Sequence, residues 1–284
     1  MAKHPKKRGA TLAQRADRHV LYQHSVQAAD FEVEFFVDRY QELRGKKPRV
    51  LREDFCGTAL LCVEWVKSHP KRTAVGVDLC QDTLAWGARH NLKPAGRTVS
   101  DRIALHHANV LDPLAVKADV TCAMNFSYCV FKQRGALRHY FETVRAGLKE
   151  DGLFVLDLLG GTETMSVLEE EREIEDQDFI YIWDQAKFNP ITHDFLCHIH
   201  FRFSDGSMLR NAFTYEWRLW TLPELREVLQ EAGFSRVHVY WEEFEKSPGD
   251  DDDDEEQWEG TGTYRDTLQA ENQEGWVAYI VAEA

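Results

Sequence analysis

The chain has 284 residues, 43 % hydrophobic and 12 % aromatic, which suits one large α/β domain or two small ones and excludes a disordered chain. Its formal net charge is −14, half of it in one run of seven acids, Asp250 to Glu256, and no basic stripe follows the first nine residues, so no duplex nucleic acid is expected as a partner. No apolar run approaches the roughly 20 residues that cross a bilayer and no signal-peptide core follows the basic start, so no membrane role is expected and the expected location is cytoplasmic.

Residues from about 11 to 45 read as helices. "LAQRADRHVLYQHSVQ" and "FEVEFFVDRYQELRG" carry apolar residues at mixed three and four spacing, and Gly45 closes the second. Strands and helices then alternate. "RVLRED", "TAVGVDL", "IALHHANV", "ADVTCAMN" and "LFVLDLLGG" read as strands, several of them apolar along their length. That pattern predicts a parallel sheet covered on both faces. After Gly161 an acidic, helix-like piece, "TETMSVLEEEREI", leads into three strand-like runs joined by the turn sequences "NPITH" and "SDGS". In the second run Phe195, Cys197, Ile199, Phe201 and Phe203 share one face and His198, His200 and Arg202 the other. "TLPELREVLQEAGF" reads as a helix with Thr221 as N-cap, Pro223 in its first turn and Gly233 at its end. "RVHVYWEEF" and "GWVAYIVA" are the last two strands, separated by a long loop that carries the acidic run.

The stretch "VLREDFCGTALL", Val50 to Leu61, is a strand, a small-residue turn and a helix start. Such a turn presents backbone N–H groups and the positive end of a helix to a ligand. Cys56, Gly57, Thr58 and Ala59 are small enough for close approach, and Glu53 at the strand end can accept from an amino group. Asp78 ends the second strand, 25 residues after Glu53, where a carboxylate can hold ribose hydroxyls. Asn109 and the Val110 backbone, at the third strand's end, suit an adenine edge. A dinucleotide dehydrogenase would want G-x-G-x-x-G after the first strand, which is missing.

On these residues the chain resembles a class I S-adenosylmethionine-dependent methyltransferase over about residues 46–161 and 221–284. "EDFCGTA" is similar to that family's first motif, with Glu53 at the acidic position and Cys56, Gly57 and Thr58 in register. Phe55 and Ala59 stand where the family usually has glycine. A less open turn is therefore expected, with the Phe55 ring needing a place to pack. The resemblance implies S-adenosyl-L-methionine as cofactor. It places Asp78 on the ribose, Leu79 against the adenine, and Asn109 and Val110 on the adenine edge. "DVTCAMNFSY" resembles the fourth motif, which puts Asn125 on the cofactor pocket and makes Tyr128 a catalytic candidate. "NFSY" lacks both prolines of the similar base-amine set Asn-Pro-Pro-Tyr/Phe. "DRHVLYQHSVQ" resembles the capping helix of small-molecule N-methyltransferases and makes Tyr22 the second catalytic candidate. A tyrosine packing one helix on the next is the other reading of Tyr22.

The expected fold is α/β: a Rossmann-like, seven-stranded, mostly parallel sheet with helices on both faces, an N-terminal helical cap and an antiparallel β insertion after the fifth strand. The expected divisions are 1–45 for the tail and cap, 46–161 for the cofactor-binding core, 162–220 for the insertion as a substrate lid, and 221–284 for the last helix and hairpin with an acidic loop at 245–274. The expected activity is in-line methyl transfer to an N or O nucleophile of a small molecule. A protein or nucleic-acid methyltransferase, or a non-catalytic cofactor-binding protein, are the alternatives. The six cysteines include no CxxC pair and are expected as free thiols. His198 and His200 alone do not make a metal site, so no metal is expected. Trp183, Tyr215, Trp217 and Trp220 are expected to build the insertion's own small core.

Overall fold

The structure is a computed structural model and describes residues 9–246 and 258–284. The acidic run Asp250–Glu256 lies outside them. In chain order the helices and strands are α1 (Leu12–Arg15), α2 (Arg18–Ser25), α3 (Ala29–Arg44), β1 (Val50–Asp54), α4 (Leu60–Lys67), β2 (Thr73–Asp78), α5 (Gln81–Gly87), α6 (Lys93–Ala95), α7 (Arg97–Ser100), β3 (Ile103–His107), β4 (Ala118–Ala123), α8 (Arg134–Gly147) and β5 (Leu148–Gly160). Then follow β6 (Leu168–Glu173), β7 (Phe179–Phe188), β8 (Asp194–Phe203), β9 (Met208–Arg218), α9 (Leu222–Glu231), β10 (Arg236–Lys246), β11 (Trp258–Asp266) and β12 (Trp276–Glu283).

The chain divides into two compact units. One holds 9–27 and Met165–Leu219; the other holds Ala28–Thr164 and Trp220–Ala284. The boundary therefore falls inside the expected N-terminal cap: α1 and α2 belong with the insertion, and α3 belongs with the core.

The larger unit is an eight-stranded sheet in the order β11-β10-β12-β5-β4-β1-β2-β3. From β5 through β3 all pairs are parallel; β12, β10 and β11 join antiparallel. Alternate residues of β5 face opposite layers. Leu153 and Val155 join the core formed with α3 and α4. Phe154 packs on Tyr140 and Phe141 of α8 and on Phe234 after α9. Helix α3 presents Ala29, Val33, Phe36 and Tyr40 to the core and stops at Gly45, whose φ of 68° supplies the left-handed cap. Helix α9 begins with the expected cap: Thr221 and Glu224 form a reciprocal capping box.

Two expectations are corrected. Residues 258–266, expected as part of a long loop, form β11, an eighth strand that pairs with β10 across a bulge at Glu242/Phe244. The acidic piece after Gly161 is not a helix. Its residues 168–173 form β6, an edge strand paired with β7, and only Leu168 of the six is not fully exposed. Pairing with an existing sheet overrides the helix preference of its glutamates, and charge on an edge strand discourages further pairing.

The smaller unit is the antiparallel sheet β6-β7-β8-β9 with α1 and α2. Ile199 and Phe201 of β8, Phe179, Ala212 and Leu21 of α2 form its core, with Trp183 and Tyr215 packed against it. Tyr215 stacks on Trp217 at 4.3 Å. Trp220 lies in the larger unit, where it is buried.

Candidate active site

The sheet's order reverses between β1 and β4, which leaves a crevice at the carboxyl ends of these strands. The tip of β1 is anchored from below. Arg52 Nε donates to Asp54 Oδ1 at 2.7 Å and its Nη2 to the Val110 carbonyl at 2.9 Å; Tyr140 donates to Asp54 Oδ2 at 3.0 Å. This buried network joins the tip of β1 to the segment after β3.

The turn from β1 into α4 is left-handed three times. Phe55, Gly57 and Ala59 have φ of 57°, 51° and 56°. The two residues that replace family glycines thus adopt the backbone a glycine would take freely. The Phe55 ring, expected to need a place to pack, lies against Phe131 and Tyr140 with centroids 6.1 Å and 5.7 Å away. The turn is held from β2: Cys56 N donates to the Val77 carbonyl at 3.0 Å and Gly57 N to Asp78 Oδ2 at 2.8 Å. Two glycines make room for it. A Cβ on Gly87 would lie 2.2 Å from the Thr58 carbonyl oxygen, and one on Gly76 would lie 2.8 Å from Cys56 Sγ. Asn91 Nδ2 also donates to the Thr58 carbonyl, at 2.9 Å. Cys56 is buried in this packing, and burial raises its thiol well above the usual range, which fits a filler rather than a nucleophile.

Asp78 is half-buried at the tip of β2. Besides Gly57 N it accepts Cys80 N at 2.7 Å. Leu79 beside it is 64 % exposed, an apolar side chain held out at the crevice. At the end of β3, Asn109 Oδ1 accepts Leu111 N at 3.0 Å, which fixes the turn, and Val110 is buried. At the end of β4, Asn125 and Phe126 are both left-handed, with φ of 55° and 56°. Their N–H groups donate to Asp157 Oδ2 and Oδ1 at 2.8 Å and 2.9 Å. Tyr128 is fully buried and its hydroxyl donates to the Asp157 carbonyl at 2.7 Å. Glu53, Phe55, Cys56, Gly57, Thr58, Asp78, Leu79, Asn109, Val110 and Asn125 thus sit on consecutive strand ends of one unit. Tyr22 lies in the other unit, its ring 4.8 Å from that of Phe213.

The electrostatics of the crevice are one-sided. Glu53 is 5 % exposed and accepts Cys62 N at 3.1 Å. Burial raises it to about 8 against the bonds from Cys62, with Asp78 and Asp54 pushing the same way. Burial likewise raises Glu32 to about 8, helped by Asp157 and Glu53, and raises Asp157 to about 7 against its backbone donors. Among the described residues no arginine or lysine bonds to or pairs with these three acids. Glu32, Asp157, Gly76 and Gly87 did not emerge from motif spacing. Glu32 had a signal: it interrupts the apolar face of α3, one turn before Phe36. Gly87 had none, because its neighbour Thr58 is remote in sequence.

In the smaller unit Glu169, Asp184 and His200 lie close enough together to suggest a metal site. Asn211 N donates to His200 Nδ1 at 2.8 Å, so the neutral ring carries its proton on Nε2, which faces Asp184 Oδ2 at 3.3 Å. A protonated nitrogen is not a ligand. His198, the other expected histidine, pairs with Thr214 instead.

No protein-family model matches the sequence, and no curated protein matches it by sequence. Solved structures match it at low identity. One is an S-adenosylmethionine-dependent methyltransferase from Clostridium acetobutylicum, 14 % identical, with 93 % of this chain and 96 % of that one covered and a TM-score of 0.62. A second is an amino pentose methyltransferase from Micromonospora echinaspora, solved with S-adenosylmethionine bound, 12 % identical over 99 % and 100 % of the two chains, TM-score 0.64. A sugar N-methyltransferase from Streptoalloteichus is 16 % identical over 100 % and 98 %, TM-score 0.61. With its sheet order, crevice and left-handed first turn, the chain has the fold of the class I S-adenosylmethionine-dependent methyltransferases.

Proposed function

We propose that the protein transfers the methyl group of S-adenosylmethionine to a nitrogen or oxygen nucleophile of a small molecule. The observation that carries this reading is the Phe55–Ala59 turn, left-handed at three positions and bonded to Asp78, beside buried acids that pair with no arginine or lysine among the described residues. The residues fit such a cofactor. Glu53 would take its amino group, Asp78 the ribose hydroxyls, Leu79 a face of the adenine, and Asn109 with Val110 the adenine edge. Phe55, Cys56, Gly57, Thr58 and Asn125 would line the pocket. Bound there, the cofactor supplies an activated methyl on a sulfonium. The chain's share of the work is to align the acceptor with that methyl and to exclude water.

The small-molecule acceptor is supported by the amino pentose and sugar methyltransferases that share the fold and by the acidic net charge, which disfavours nucleic acid. Among the described residues no helix is long and apolar enough to cross a membrane. Tyr22 packs against the smaller unit's core beside Phe213. Tyr128 is better assigned to bracing the β4 end, because its hydroxyl is committed to the Asp157 carbonyl.

Calorimetry on the intact protein tests the reading. S-adenosylmethionine should bind, and Asp78→Ala should weaken it by about tenfold or more, the loss expected for a charge-assisted bond. No binding at millimolar cofactor, or an unchanged affinity in Asp78→Ala, would sink the site assignment. Transfer of a labelled methyl to a panel of amino sugars then tests the acceptor class.

A further inference from the structure

We propose that Glu32, in the first turn of α3, is a further cofactor-binding residue: with Glu53 it forms a two-carboxylate seat for the ammonium group of the methyl donor. The assignment rests on the functional reading above. Glu32 lies on the face of α3 that buries Ala29, Val33, Phe36 and Tyr40, and it is itself only 5 % exposed. An apolar side chain would suit that stripe. Instead a carboxylate stands there that no described residue reaches with a hydrogen bond or an ion pair.

The groups facing Glu32 come from several elements, and none is a cation. Glu53 of β1, Asp157 of β5 and Asp30 of its own helix are acids. Cys122 of β4 and Tyr279 of β12 are the other titratable neighbours. Glu53 in turn meets Cys62 of α4, Asp78 and Asp54. Asp157 is already used by two backbone N–H groups, Glu53 by Cys62, and the Glu32 carboxylate by none of the described residues. Burying an uncompensated carboxylate beside like charges is costly, and the group responds by keeping its proton. Such a side chain makes sense when a ligand brings the missing cation. The exchange balances simply: an ammonium arrives, the seat's carboxylic acid ionises, and one proton leaves to solvent.

Glu32→Gln keeps the shape of the protonated acid and cannot ionise when the ammonium arrives, so it separates the two roles. S-adenosylhomocysteine is the probe because it carries the same ammonium and cannot react. The variant should bind it about tenfold to a hundredfold more weakly. Proton release at pH 7, read by calorimetry in buffers of different ionisation enthalpy, should fall. A desamino analogue of the probe should bind wild type and variant alike. Without ligand the variant should melt no lower than wild type, an outcome that also shows it is folded. Wild-type binding left unchanged by Glu32→Gln, or an equal loss for the desamino analogue, would overturn the assignment alone. A wild-type protein that binds neither cofactor nor probe would overturn the functional reading and this assignment together.

Discussion

Ala59 turns through φ of 56° with its methyl fully buried, and Phe55 does the same with a whole ring to place. An L-residue in this region costs about 1–2 kcal/mol relative to its ordinary conformations. Ala59→Gly relieves that strain, loses one methyl contact and loosens the unfolded chain. Chemical denaturation should therefore find it within about 1 kcal/mol of wild type. Gly87→Ala is the opposite case. Its new Cβ would sit 2.2 Å from a backbone oxygen that cannot swing aside, so the Thr58 turn must move. A loss of about 1–3 kcal/mol is expected, together with weaker cofactor binding, read by melting and calorimetry. These two sites show which part of the crevice was legible in the sequence. Glu53, Asp78 and Asn109 could be placed at or just past the strand tips because strands recur at regular spacing. The turn's geometry could not, because glycine is the usual marker of a left-handed residue, and here phenylalanine and alanine take two of the three places.

At the level of elements, continuous apolar runs were a good guide wherever a strand is buried on both faces, as in β1, β2, β4 and β5. It failed for β6 and β11, which lie at sheet edges and bury little. In β11 the informative residue is Tyr264, whose ring packs on Phe31, Phe35 and Tyr279 within a run that otherwise reads as a polar loop. Helix starts were easier, because a cap is local chemistry. Thr221 accepts Glu224 N while Glu224 accepts Thr221 N at 2.9 Å. Thr221→Ala should cost about 1 kcal/mol in urea unfolding and leave cofactor affinity unchanged.

For the molecule as a whole, the buried acids set a pH dependence. Glu32 and Glu53 at about 8 and Asp157 at about 7 all stand above their unfolded values. Between the ordinary carboxylate range and about pH 8 the folded chain holds more protons than the unfolded one. The stability these groups contribute is full below that range and is lost as pH rises through it. His238 adds to the same trend. Burial lowers it, but hydrogen bonds with Glu283 and Asp266 outweigh this and raise it, so its contribution also fades at higher pH. The ligand-free protein should melt higher at pH 5.5 than at pH 8.5, with a smaller difference in Glu32→Gln.

The smaller unit is assembled from two remote pieces of chain. Leu12 N donates to Asp205 and Ala13 N to Ser207, partners 193 and 194 positions away, and Leu21 completes a core with Ile199 and Phe201. As the chain leaves the ribosome, α1 and α2 have no native surface to fold against until β8 and β9 emerge, by which time most of the larger unit's strands have been made. Closing so long a loop is slow, and the apolar side of β8 stays uncovered until it happens. Transposing residues 9–27 to follow Leu219 would shorten that wait, because α1 and α2 would then emerge directly after the strands they cover.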